Sequence, residues 1–276
     1  MDDKKIEWRE IRHILLLFSI VMVSVIILSY LAPHQPTTLS TTTGSVGLAP
    51  WQTALGYGIY IAVGSFVIFF ILSRLKQKNL FLRVFEAGFI ILGIWALLTV
   101  FFPTALLAFV PGVLLVFFKQ YFPGLTNTCA VSSAIGFGLI FALEFGFAVM
   151  FFFLIVLAVY DYLAVYVTKH MVKMADMYVD QQLAFLVYAI RRIDEKTVSS
   201  IKLGTGDLIF PSAFVGGMAV SGLPFIMVAG AALGAVAMLA YLLFRIQQTL
   251  HAYPAIPYLA FGCFVGMLGG LMINVI

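Results

Sequence analysis

FLIVLAVYDYLAVYVTKHM, residues 153–171, decides the fold. Apolar side chains fill the run up to Thr168, and Lys169 closes it. A helix apolar on every side is buried in a large core or crosses a bilayer. The stretch from Gly146 to Thr168 matches the length of one crossing, about 20 residues. One carboxylic acid, Asp161, interrupts it.

The rest of the chain has the same character. Of its 276 residues 63% are hydrophobic and 10% are charged, too few for the polar coat of a soluble domain. The expected fold is an all-α polytopic membrane protein, a single unit over residues 1–276. At about 20 apolar residues per crossing, nine spans are expected. They fall at roughly 11–32, 52–73, 84–102, 104–118, 128–144, 146–168, 205–222, 224–244 and 254–275. Phe102-Pro103 divides the third from the fourth, and Glu144-Phe145-Gly146 the fifth from the sixth. Six spans thus precede a loop over 169–203, and three follow from 204 to 276.

Charge placement orients the chain. With nine spans and a cytoplasmic N-terminus, all 16 Lys and Arg residues fall on the inner side, as the positive-inside rule requires. The C-terminus then lies outside, in a multi-pass protein of the cell membrane. Residues 33–50, rich in Ser, Thr and Pro, read as a solvated external linker. In the long inner loop, LAFLVYAIRR and TVSSIKL tolerate strand or interfacial helix. The net charge of +4 is spent on topology and implies no nucleic-acid partner. Cys129 and Cys263 lie in apolar runs and read as buried thiols, with no disulfide framework.

Four of the twelve acids lie outside the N-terminal tail and the long loop: Glu86, Glu144, Asp161 and Asp207. Glu86 and Glu144 sit near span ends, where water and headgroups are expected to reach them. Asp161 lies roughly 12 Å inside the inner boundary at 1.5 Å per residue. An acid at such depth costs about 2.5–3.5 kcal/mol on insertion scales and marks a functional site by default. Asp207, in IKLGTGDLIF at 201–210, sits roughly 7–8 Å inward of Lys202. Alone it suits a helix N-terminus equally well. The two helices run in opposite directions, however, and bring their acids to a common depth. Two close carboxyls share one proton, because both cannot ionise in a low-dielectric site. Such a dyad can activate water against a peptide carbonyl with neither metal nor cofactor. The sequence has no zinc-binding H-E-x-x-H and no G-x-S-G nucleophile motif, and its four histidines are scattered.

Tyr160-Asp161, Gly204-Thr205-Gly206-Asp207 and Pro254-Ala255-Ile256-Pro257 together resemble the YD, GxGD and PAL motifs of presenilins and signal peptide peptidases. The contexts YDYLAVYVTKHM and GTGDLIFPS are most similar to archaeal members of that family. The resemblance extends over the whole chain. It implies an intramembrane aspartic endopeptidase with Asp161 and Asp207 as catalytic pair and transmembrane helical proteins as substrates. The PAIP turn would pack beside the pair. Ile256 replaces the usual Leu, and Thr205 stands where a larger apolar residue is common. Gly204 and Gly206 are expected to allow close backbone approach and conformations barred to other residues. Pro254 and Pro257 remove backbone donors and end the last helix. Tyr160 and Tyr162 flank the acid, where a hydroxyl or simple packing would serve. Two other readings use the same acids: a proton-coupled transporter, and a prepilin or preflagellin peptidase of the GxGD type.

Overall fold

The computed structural model describes residues 8–32, 49–74, 78–100, 108–168, 183–193, 196–249 and 253–275. Eight α-helices and one hairpin make up this part. They are α1 (Trp8–Leu31), α2 (Pro50–Arg74), α3 (Lys78–Thr99), α4 (Phe109–Tyr121), α5 (Thr126–Tyr162), β1 (Leu186–Ile193), β2 (Lys196–Gly204), α6 (Thr205–Val220), α7 (Phe225–Thr249) and α8 (Ala255–Val275). Among the described residues six helices are long and apolar enough to cross a membrane. The division at Phe102-Pro103 and the 33–48 part of the external linker lie outside the described residues.

Helix α6 forms the centre. It is only 16 residues long, yet nearly every side chain from Leu208 to Ala219 is buried. Helices α1, α5, α7 and α8 pack around it. Because protein rather than lipid surrounds it, its polar ends have neighbours to satisfy them. α1 shows the matching pattern: Ile11, Ile14, Phe18, Val21 and Val25 are fully buried, while Leu16, Ile20, Val23 and Ile27 face outward. Spacings of three and four place each set on one face.

The fifth and sixth expected spans correspond to α5, two helical segments that meet at a kink where the sequence places a divide. α5 has 37 residues, roughly 55 Å at 1.5 Å per residue and about twice what one crossing needs. Its path breaks at Gly146, with φ 60° and ψ −172°, a region essentially restricted to glycine. The Phe147 N–H, released from the helical ladder there, donates to Ser221 Oγ at 3.0 Å. The last two helices interlock through Gly230, Gly234, Gly262 and Gly266, where any Cβ would collide with the carbonyl oxygen of the facing glycine.

The all-α expectation is corrected by the hairpin. β1 and β2 pair antiparallel from Leu186↔Gly204 to Ile193↔Lys196, with a bulge at Ala189/Ile190. The interfacial-helix alternative fails because this loop is dense in β-branched residues, among them Val187, Val198 and Ile201. Ile201 and Leu203 are buried while Lys202 is exposed, the alternation of a strand with one covered face. β2 passes straight into α6, so the sheet fixes where that helix begins.

Candidate active site

Asp161 lies at the end of regular α5, just before a π-helical turn over Leu163–Val167 in which Thr168 N–H reaches the Leu163 carbonyl at 3.0 Å. Such wide turns commonly accompany functional positions. The Asp161 side chain is buried, and its Oδ2 accepts the Ile256 N–H at 3.1 Å. The Ala255 N–H also faces this carboxyl. Both amides belong to the first turn of α8, whose N–H groups have no partner within the helix and carry the positive end of its dipole. Pro257 contributes no N–H, and Pro254 directly precedes the helix, so the amides of Ala255 and Ile256 are the donors left at this end. Pro254, Ala255 and Ile256 are themselves buried.

Asp207 occupies the first turn of α6, whose N-cap is Gly204. Its half-buried carboxyl curls back toward the Gly204 N–H and feels the charge of Asp161. Each acid is thus held by amides at a helix N-terminus, one its own and one a neighbour's. The conformational part of the expectation about the glycines is corrected. Gly204 has φ −62° and ψ 139°, open to any residue, and Gly206 is not among the positive-φ glycines. Space, not conformation, matters at Gly204: a Cβ there would lie 3.0 Å from Asp207 Oδ2. At Gly206 it would meet only the Phe210 ring, at 3.5 Å.

The remaining expected residues have defined places. Thr205 is buried, and its N–H and Oγ1 donate to the Phe185 carbonyl at 2.9 and 3.0 Å. Its side chain therefore secures the strand entry and is turned away from open space. The hydroxyls of Tyr160 and Ser65 hydrogen-bond, tying α5 to α2. Tyr162 is exposed and packs edge-on against Tyr166, with centroids 5.1 Å apart.

The family profile described as "Signal-peptide peptidase, presenilin aspartyl protease" matches residues 15–276. The chain belongs to this family. It is an intramembrane aspartyl protease, and neither the transporter nor the prepilin-type reading is favoured. Comparison with curated protein sequences gives no significant match. A solved presenilin-family intramembrane aspartate protease shares the fold with a TM-score of 0.59 and 21% identity, covering 94% of this chain and 99% of its own.

The protease also contains a polar knot that sequence reasoning placed wrongly. Glu86, expected within reach of water, is buried; it pairs with Lys119 of α4 and accepts the Ala184 N–H. Burial is tolerable because the carboxylate has both a cation and an amide. Asn127 grips the Tyr188 peptide from both sides, accepting its N–H at 2.9 Å and donating to its carbonyl at 2.7 Å. The Tyr188 hydroxyl donates to the Leu183 carbonyl at 3.0 Å. Burial, then the charge of Glu86, pushes this phenol well above its ordinary value. The knot holds residues 183–188, from which Thr205 and hence the first turn of α6 hang. Among the described residues no group of three or more His, Cys, Asp or Glu is arranged to hold a metal. Cys129 and Cys263 are free and buried.

Proposed function

We propose that Asp161 and Asp207 are the catalytic pair and hydrolyse peptide bonds within transmembrane helical substrates. What supports this reading is that α5 and α6 pack against each other and carry one acid each, both steadied by helix-terminal amides, with Asp161 near enough to act electrostatically on Asp207. One carboxylate takes a proton from water as the water oxygen bonds to the scissile carbonyl carbon. The other, protonated, gives its proton to the carbonyl oxygen. The C–N bond then breaks as the amine nitrogen is protonated by the pair. Low dielectric around the acids favours the singly protonated state this cycle needs.

A helical substrate must unwind before its carbonyls can be attacked, and its freed amides then need partners. The hairpin supplies them in this reading: a two-stranded sheet has unpaired edges, and an extended substrate can add as a third strand. The finer topology is part of the proposal. The break of α5 at Gly146 supports two crossings in that element, and α4 and α6 would add two shorter ones, giving nine. The N-terminus would then be cytoplasmic and the C-terminus outside, in the cell membrane. GxGD in a helix rising from the inside favours single-span substrates with their N-terminus outside.

The test is cleavage of a single-span reporter by the purified full chain in detergent. Asp161→Asn and Asp207→Asn are each expected to abolish turnover with the fold retained by circular dichroism. Cleavage surviving either change rejects the pair. In the same assay Ser199→Pro, which removes a strand amide, should slow turnover if the substrate joins the sheet.

A further inference from the structure

The knot around Glu86 opens on one side into a cavity of about 640 Å³. Three helix ends meet there: the start of α3, the end of α4 and the start of α5. Ends of apolar spans lie at the depth of lipid headgroups. The polar lining consists of Arg83, Glu86, Lys119, Gln120 and Thr126, with Glu86 paired to Lys119. Arg83 is exposed. Glu86 is already engaged by Lys119 and the Ala184 amide, so its charge is answered within the protein. The two cations therefore exceed the single acid, and the cavity carries net positive charge.

The helices reinforce that sign. Thr126 is the first residue of α5, and Leu80 lies in the first turn of α3, so the positive ends of two helix dipoles lie beside this space. The C-terminus of α4 also arrives here, but Lys119 in its last turn offsets it. The rest of the lining is apolar and includes Leu80, Val84 and Val116, of which Leu80 and Val84 are 60% and 64% exposed. The ring pair Phe117–Tyr121, with centroids 5.0 Å apart, marks the same helix end as an interfacial anchor.

We propose that this cavity is a binding site for the phosphate headgroup of an anionic membrane lipid. Arg83 and Lys119 take the phosphate oxygens, and the first methylenes of the acyl chains lie against Leu80, Val84 and Val116. Basic pockets between membrane helices suit this class of ligand, and the volume falls within the ordinary range for small-molecule sites. Leu183 also lines the cavity, so a seated lipid braces the segment that leads into β1.

The experiment is native mass spectrometry of the purified full chain in detergent, titrated with phosphatidylglycerol, with phosphatidylcholine of the same acyl chains, and with glycerol 3-phosphate. Phosphatidylglycerol is expected to bind about fivefold or more tightly than phosphatidylcholine, and glycerol 3-phosphate far more weakly than either. Arg83→Gln should reduce phosphatidylglycerol affinity about fivefold. Val84→Trp, which fills the mouth and leaves both cations in place, should reduce it as well. Equal binding of the two lipids overturns the proposal, as does unchanged phosphatidylglycerol affinity in both variants. Glycerol 3-phosphate binding as tightly as the intact lipid overturns it too, since the occupant would then be a soluble phosphate. Because the readout is binding, it stands apart from the assignment of the catalytic pair.

Discussion

Two glycines separated by one residue carry different duties. Gly204 lies against the Asp207 carboxyl, whereas Gly206 borders only an aromatic ring. Gly204→Ala should therefore push that carboxyl off its position and lower kcat about tenfold or more, with little change in thermal stability because its backbone suits alanine. Gly206→Ala should be milder by comparison. Steady-state cleavage with a melting curve for each variant decides this, and equal losses would refute the assignment. Tyr188 offers a pH test outside the membrane. Its pKa is raised on folding, so its contribution is complete below the unfolded value of about 10 and is lost as pH rises beyond it. Unfolding followed from pH 8 to 11 should show a falling alkaline limb that Tyr188→Phe flattens. Asp161 was legible in the sequence because no neighbouring residue excuses a carboxyl at that depth. Glu86 was misread because its partner stands 33 residues away on another helix, a separation that carries no local signal.

At the scale of elements, the break in α5 rests on one residue. Gly146→Ala must place a side chain in a backbone region that alanine avoids, at a cost of about 1–3 kcal/mol. Reversible unfolding in mixed micelles measures it, and a change within error would show that the helix bends without the glycine. The sequence places a divide at this position, where the two helices of α5 meet at Gly146, yet hydropathy alone could not show that they join without a loop. The hairpin was visible only as a choice between strand and interfacial helix. What settles it is tertiary: Asn127 grips the Tyr188 peptide and Thr205 holds Phe185, and neither contact has a trace in local composition.

For the whole molecule, charge asymmetry was the strongest signal, since lipid penalises a misplaced cation irrespective of packing. It predicts that alkaline phosphatase fused at the C-terminus is active outside the cell membrane and that green fluorescent protein fused there is dark. The reverse pattern would overturn the orientation. The short length of α6 was legible, 205–222 expected against Thr205–Val220, whereas α4 is shifted along the chain, Phe109–Tyr121 against 104–118. The glycine seam between α7 and α8 has a mechanical corollary. Backbones in direct contact leave no side-chain layer to slide across, so the pair moves as one stiff lever. The amide that grips Asp161 sits at the tip of that lever. Any opening that parts α5 from the start of α8 must therefore swing both terminal helices together.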